Sequence, residues 1–232
     1  MLLCQFEKPK DCGSGIRLGE MELPLEHLWQ SASVPSKQLM VVLHGRGDSA
    51  EGFLWLQEAL AIDSLDFLLL TAPTPYYMGY TWYDLPPNQL PGITQSRKVL
   101  NDVFAQIERD GYAPERTFLL GFSQGCLLTL EFGARYNRRL AGYIGISGYS
   151  NDPEALMRDL NPEVNRGDWL ITHGTEDEIL PVARTRAQMQ FFKEQGFNID
   201  YREYKKSHTI DMRRELPHIR EWLKIRCLEN LP

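Results

Sequence analysis

A serine lies in a short, glycine-flanked segment that could form a nucleophilic turn. Residues 121–125 read Gly-Phe-Ser-Gln-Gly and separate a predicted strand at 117–121 from a helical pattern at 127–136. A sharp strand-to-helix turn forces its central residue into a strained backbone conformation, and glycines leave room around that residue. The turn also places the serine at a helix N-terminus, whose positive dipole end favours a developing oxyanion. Ser123 is therefore the predicted nucleophile; the alternative is a glycine-rich turn in which this serine only caps the helix.

A serine nucleophile needs a base, and His208 is the predicted one. It follows a predicted strand at 199–204, so it lies at the edge of a parallel sheet where ligands bind. With this kind of turn, the acid and then the histidine follow the serine along the chain. His27 and His44 precede the serine along the chain. His173 ends a strand and precedes the acid candidates, and His218 lies in the last helix, where a surface position is expected.

The base needs an orienting acid, and Asp177 is the prediction. It lies in the loop after a predicted strand at 169–173, at the same edge of the sheet. Asp168 and Asp200 fall near the beginnings of strands, at the opposite edge. Glu176 and Glu178 are neighbours that could be mistaken for the acid. The alternative for Asp177 is a turn or helix-entry aspartate without a catalytic role.

The remaining requirement is an oxyanion hole, and the loop after the strand at 39–43 is the candidate. It reads His-Gly-Arg-Gly-Asp over residues 44–48, and its glycines let a backbone N–H approach a ligand closely. When a serine nucleophile lies in a Gly-x-Ser-x-Gly turn, one oxyanion donor comes from a loop of this kind and the other from the residue after the nucleophile. The backbone N–H groups of Arg46 and Gln124 are therefore the predicted donors. The side chains of His44 and Asp48 are expected to be loop scaffolding. A phosphate-binding loop is excluded, because the spacing and the Lys-Ser/Thr ending are missing.

Residues 73–93 form a long segment rich in proline and aromatic side chains. A long loop near the catalytic edge is often a wall of the substrate site. Trp82, Tyr83 and, in the loop after the acid, Ile179 are the predicted substrate-binding residues. An aromatic wall would suit an acyl chain; the alternative is ordinary packing over the sheet edge.

The elements that position these loops alternate between strands and helices. Near-continuous apolar runs predict strands at 39–43, 67–71, 117–121, 142–147, 169–173 and 199–204, and helical patterns occupy 95–109, 181–195 and 217–228. Pro181 is expected at a first helical position and Gly196 as a C-cap. This alternation predicts one α/β domain over residues 1–232, with a mostly parallel sheet covered by helices on both faces. The first 35 residues are expected to add antiparallel strands at one edge.

Composition excludes several other classes of protein. The net charge of −6 argues against sequence-independent nucleic-acid binding, which needs clustered Lys and Arg. No apolar run is long enough for a membrane span, so stable membrane insertion is not expected. The four cysteines show no metal-ligand spacing, and with no recognisable export signal they are expected to be free thiols in a cytoplasmic protein. No cofactor or metal is expected, and a homodimer is conceivable.

Together these motifs resemble the phospholipase/carboxylesterase family of α/β-hydrolases, which includes bacterial carboxylesterases and acyl-protein thioesterases. The resemblance runs from about residue 39 to 223 and is carried by LHGRGDS, TWYDL, LLGFSQG, GISGY, HGTEDEILP and SHTI. It implies a single-domain α/β-hydrolase fold and hydrolysis of carboxylic esters or thioesters. It also implies the triad Ser123, Asp177 and His208, with Arg46 and Gln124 as oxyanion donors.

The chain departs from the family pattern at a few positions near these motifs. The family often has a glycine where this chain has Cys126, an apolar residue where it has Arg46, and Asp-Pro where it has Asp177-Glu178. Cys126 is expected to change packing under the turn, and Arg46 to place a cation at the mouth of the site. Two other functions stay open: a lysophospholipase or peptidase with the same triad, and a catalytically silent hydrolase fold used for binding.

Overall fold

The computed structural model describes residues 16–17, 21–164 and 167–229, and within them two sheets form. The main sheet has eight strands: β1 (Ile16–Arg17), β2 (His27–Gln30), β3 (Gln38–Leu43), β4 (Leu65–Leu70), β7 (Thr117–Phe122), β8 (Gly142–Ile146), β9 (Asp168–Gly174) and β10 (Asn198–Tyr204). A small hairpin is made of β5 (Thr74–Tyr76) and β6 (Gly79–Thr81). All six strands predicted from apolar runs are present, with ends shifted by up to two residues.

The order of the main sheet is β1-β2-β4-β3-β7-β8-β9-β10. From β4 to β10 every neighbouring pair is parallel, which confirms the expectation of a mostly parallel sheet. At the other edge β2 is antiparallel to β4, and β1 is antiparallel to β2. The predicted single domain covers residues 1–232, which extends past the described ranges at both ends. Its extent there stays a prediction. Cys4 and Cys12, expected to be free thiols, also lie outside the described residues.

Helices cover both faces of the main sheet: α1 (Leu56–Leu60), α2 (Gln89–Arg109), α3 (Gln124–Gly133), α4 (Pro153–Arg158), α5 (Val182–Glu194) and α6 (Glu215–Glu229). Successive side chains of a strand point to opposite faces. Accordingly, Val41 of β3 joins the apolar layer formed with α2, α3 and α5, while Val42 joins the layer formed with α1 and α6. A strand with both faces buried favours apolar residues, which explains the apolar run at 39–43. The polar Gln38 at its start is also buried and donates to the Cys227 carbonyl.

Three helices begin at other residues than the sequence predicts, and each has a proline in or next to its first turn. Helix α2 begins at Gln89 instead of residue 95, because Pro91 lies in its first turn, where a missing N–H costs no hydrogen bond. For the same reason α6 begins at Glu215, ahead of Pro217. Pro181 is the N-cap of α5 and not its first residue. The predicted cap at Gly196 is confirmed: its φ is 92°, and its N–H donates to the Lys193 carbonyl.

None of the helices in the described part of the chain combines the length and apolarity of a membrane span. The same residues contain no group of three or more His, Cys, Asp and Glu side chains arranged to hold a metal ion.

The central strands should carry much of the stability. Leu119 of β7 is fully buried, whereas Leu90 of α2 is 59% exposed. We expect Leu119→Ala to lower the free energy of unfolding by about 2–5 kcal/mol, because it removes buried methyl groups and leaves a cavity. The matched Leu90→Ala change should alter it by less than about 0.5 kcal/mol. Urea denaturation of both variants measures the difference; equal values would contradict this packing.

Candidate active site

The predicted nucleophile lies in a strained turn between β7 and α3. Ser123 has φ 55° and ψ −111°, a left-handed conformation that a serine rarely adopts. The flanking glycines are required by close backbone contacts. A Cβ on Gly121 would lie 2.1 Å from the Gly125 carbonyl oxygen, and one on Gly125 would lie 2.1 Å from that of Leu43. The strained turn predicted from the motif is therefore confirmed, and the crowding of three backbone segments explains its glycines.

The three side chains predicted for the triad lie in one hydrogen-bonded row. His208 Nε2 is 2.8 Å from the Ser123 hydroxyl, and His208 Nδ1 is 2.7 Å from Asp177 Oδ2. The Asp177 side chain is fully buried, whereas that of His208 is 17% exposed. A buried carboxylate that accepts Nδ1–H leaves Nε2 unprotonated and facing the serine. This arrangement can take a proton from Ser123, the step that nucleophilic attack requires.

The Asp177 carboxylate is fixed by its own loop. Oδ1 accepts hydrogen bonds from the backbone N–H groups of Ile179, at 3.0 Å, and Leu180, at 2.8 Å. His173 was set aside as a base, yet it contributes here: its Nε2–H donates to the Leu180 carbonyl at 2.8 Å and lies 3.5 Å from Asp177 Oδ2. Burial lowers the pKa of His173, so it is the neutral imidazole that closes this loop.

The predicted oxyanion loop lies directly against the nucleophile. A Cβ on Gly45 would be 3.3 Å from Ser123 Cβ. The loop is tied to the β5–β6 hairpin, since the Gly47 N–H donates to the Tyr80 carbonyl at 2.7 Å and the Tyr80 N–H donates to the Asp48 carbonyl at 2.9 Å. Within the described residues, the backbone N–H groups of Arg46 and Gln124 have no protein acceptor. Both remain available to a ligand, as an oxyanion hole requires.

The His44 side chain holds this loop in place, in the scaffolding role expected for it. Its Nε2 accepts a hydrogen bond from the Ala72 N–H at 3.0 Å, so Nδ1 carries the proton and donates to the Gly45 carbonyl at 2.6 Å. Burial is the main cause that lowers the pKa of His44 and keeps it neutral. His218, expected on the surface, is instead half-buried, with Nδ1 2.9 Å from the Tyr204 hydroxyl.

Comparison of the sequence with known protein families agrees with this geometry. The profile of the phospholipase/carboxylesterase family matches residues 27–227. The chain belongs to that family.

Relatives of this chain are named as thioesterases and carboxylesterases. Acyl-protein thioesterase 1 of Kluyveromyces lactis is 28% identical over 189 residues, covering 74% of this chain and 83% of that protein. Carboxylesterase SOBER1 of Arabidopsis thaliana is 25% identical over 209 residues, covering 82% and 91%. The crystal structure of SOBER1 has a TM-score of 0.75 at 26% identity and covers 82% of this chain and 98% of that one. The fold is that of the α/β-hydrolases, as predicted, and the protein is an esterase or thioesterase enzyme.

Residues 73–93 were expected to form a wall of the substrate site. Trp82 and Tyr83 are 2% and 7% exposed and belong to the apolar core, which favours the alternative of ordinary packing for these two side chains. Their contact with a substrate stays a prediction. The Trp82 indole N–H donates to the His44 carbonyl at 2.9 Å, so its polar group is satisfied in the core. Ile179 is 68% exposed beside the acid loop and remains free to meet a substrate.

The Gln124 side chain has a role that its motif position did not reveal. Its amide oxygen accepts a hydrogen bond from the backbone N–H of Trp82 at 3.0 Å, and its amide nitrogen donates to the Tyr83 carbonyl at 2.7 Å. These bonds join the turn that carries Ser123 to residues 82–83. Phe122 was overlooked as well: its ring lies 5.1 Å from the His208 ring, centroid to centroid. Neither contact has a signal in a single sequence, because the partners are far apart along the chain.

Two departures from the family pattern have clear structural consequences. The Arg46 side chain is exposed, and its guanidinium lies 5.0 Å from the centre of the Tyr76 ring, on the hairpin beside the oxyanion loop. Cys126 is fully buried under the turn. Its sulfur fills space that a Cβ on Gly145 or Gly148 would occupy, at 2.7 and 2.6 Å. The cysteine therefore adjusts packing, as expected, and those glycines accommodate it.

The Cys126 thiol should be chemically silent in the native enzyme. Burial raises its pKa to about 12, so almost no thiolate exists near neutral pH. Burial raises the pKa of Cys227 to about 12 as well. We expect iodoacetamide at pH 8 to leave both residues unmodified in the folded protein and to alkylate both after denaturation in guanidinium chloride. Peptide mass mapping gives the result for each cysteine; rapid native alkylation of Cys126 would contradict its burial.

Proposed function

We propose that the enzyme cleaves carboxylic esters or thioesters with Ser123 as nucleophile, His208 as base and Asp177 as the acid that orients it. The observation that carries this proposal is the continuous hydrogen-bonded row from Ser123 to Asp177. Family membership and the names of the relatives support the reaction class.

The chemistry proceeds through an acyl-enzyme. His208 takes the Ser123 proton as the serine oxygen attacks the carbonyl carbon, and Asp177 stabilises the resulting imidazolium. The backbone N–H groups of Arg46 and Gln124 hold the oxyanion, and each donor of this type is typically worth about 3 kcal/mol. His208 then protonates the leaving alcohol or thiol. A water molecule repeats the sequence on the acyl-enzyme and regenerates the free serine.

The proposal extends to a small-molecule or acylated substrate, to a cytoplasmic location and to a homodimer as one conceivable assembly. The free thiols of Cys126 and Cys227 are compatible with a reducing compartment. The chief alternative within enzymes is a lysophospholipase or peptidase that uses the same row of residues. A binding protein without catalysis is the alternative outside enzymes, and the hydrogen-bonded row disfavours it.

A fluorophosphonate probe tests the proposed nucleophile directly. We expect covalent labelling of the native protein and complete loss of labelling in Ser123→Ala. The matched control is Ser207→Ala: Ser207 is an exposed serine next to His208, and its loss should leave labelling intact. Mass spectrometry of the labelled peptide identifies the modified residue. A native protein that resists the probe, or a Ser123→Ala variant that still reacts, would refute the proposal.

Arg46 should bias the enzyme towards substrates that carry a negative charge. Two p-nitrophenyl esters of matched length test this: the neutral hexanoate and the monoadipate, which ends in a carboxylate. We expect Arg46→Leu to lower kcat/KM for the monoadipate about fivefold more than for the hexanoate, the size expected of one exposed ion pair. Arg46→Lys should retain most of the preference. An equal decrease of kcat/KM for both esters in Arg46→Leu would contradict an anion preference.

A further inference from the structure

The predicted base lies on a segment without regular structure, residues 205–214, between β10 and α6. Its imidazole is directed by Ser123 and Asp177, but those bonds cannot fix the backbone that carries it. Close to His208, the Lys206 N–H donates to the Tyr204 carbonyl and the Thr209 N–H donates to the Ser207 carbonyl, both local bonds. Contacts beyond this local stretch must therefore hold the segment against the sheet. Ile210 packs on the apolar layer of α1 and α6, and one further contact is polar and buried.

A buried ion pair provides that contact. The Lys206 ammonium lies 2.6 and 2.7 Å from the two carboxylate oxygens of Glu215, the first residue of α6. The Lys206 side chain is 3% exposed and that of Glu215 is fully buried. The third ammonium proton is donated to the Thr209 carbonyl at 2.7 Å, so every donor of the lysine is used.

The pair links the residues on both sides of His208 to one helix. Lys206 precedes the histidine by two positions and Thr209 follows it directly. Glu215 also accepts the Asp211 N–H at 2.8 Å, which fixes the end of the segment. The Lys206 carbonyl accepts the Glu176 N–H at 3.1 Å, so the same lysine touches the loop of the predicted acid. The positions of the base and the acid therefore depend on one another through Lys206.

Keeping two charges out of water is unfavourable, and burial is the largest cause that lowers the pKa of Lys206. An apolar pair of similar size could fill the same volume at lower cost, whereas a bidentate ion pair also fixes direction. Retention of the charges next to a catalytic segment thus points to geometry as their use. We propose that Lys206 and Glu215 are positioning residues that hold His208 in line with Ser123 and Asp177, an inference that rests on the proposed role of His208 as the base.

The test removes both charges together, since removal of one partner alone would leave a buried unpaired charge and endanger folding. In Lys206→Met/Glu215→Gln the side chains keep their approximate size, and the glutamine can still accept the Asp211 N–H. The matched control is Arg186→Met/Glu203→Gln, which removes an exposed pair with a 2.7 Å contact between α5 and β10. Thermal unfolding monitors the fold, and p-nitrophenyl hexanoate hydrolysis gives kcat and KM separately.

We expect the double variant at Lys206 and Glu215 to stay folded and to lose at least about tenfold in kcat with KM nearly unchanged, because small displacements of a reacting group are costly. The control pair should retain the wild-type kcat. A folded double variant with wild-type kcat would overturn the proposal. If the double variant does not fold, Lys206→Arg decides: it keeps the charge but moves the donors, so kcat should fall, and an unchanged kcat would overturn the proposal.

A spectroscopic measurement separates this inference from the proposed function. The proton between His208 Nδ1 and Asp177 gives a far-downfield proton NMR signal, assigned by its loss in His208→Ala. We expect the signal to weaken or disappear in the Lys206 variants and to persist in the Arg186 control. This readout needs no turnover, so an inactive wild-type protein would refute the proposed function and still leave the positioning role measurable. An undisturbed signal in both Lys206 variants would overturn the positioning role.

Discussion

The active site depends on a single structural constraint: parallel strands end at the same edge of the sheet. Ser123, Asp177 and His208 follow β7, β9 and β10, and these strands are held in parallel register with β8 between β7 and β9. Side chains separated by 85 residues, such as Ser123 and His208, thereby come within 2.8 Å. Strands β7 and β9 are buried on both faces over almost their whole length, so their register cannot shift without exposing apolar side chains. Strand β10 lies at the edge of the sheet, is partly exposed and is held by its pairing with β9. The apolar layers thus fix the ends of the strands that carry Ser123 and Asp177.

Backbone crowding at the nucleophile is the second requirement. The turn at Ser123 lies so close to the end of β3 that Gly125 touches the Leu43 carbonyl. This proximity keeps the serine in its left-handed conformation and brings the oxyanion loop, which follows Leu43, next to it. Strain at Ser123 is maintained because the packed strands on either side over-determine the turn. The predicted nucleophile and the predicted oxyanion donors are therefore placed together by one contact between β3 and α3.

The local parts of this arrangement could be predicted from the sequence. Continuous apolar runs located the parallel strands, and the order of Ser123, Asp177 and His208 along the chain located the predicted triad. Contacts between distant segments could not be predicted. The buried Trp82 indole donates to the His44 carbonyl, and Gln124 joins the turn to residues 82–83. Such bonds depend on how loops pack after the sheet has formed. The starts of α5 and α6 were predicted at the wrong residues, because the first turn of a helix accepts proline at more than one position.

The charges around the site divide into two sets with different effects on the enzyme. Asp177 and the pair of Lys206 with Glu215 are buried and bonded to one another or to backbone groups, so under our proposal they determine where the predicted base His208 is held. Arg46 is exposed and packs on Tyr76, outside this network. If His208 is the base, a change in the buried set should alter the reaction with every substrate, because the same base would serve them all. A change at Arg46 alters only the field that an incoming substrate meets. The two proposals therefore assign substrate preference to the exposed Arg46 and the position of the predicted base to the buried network.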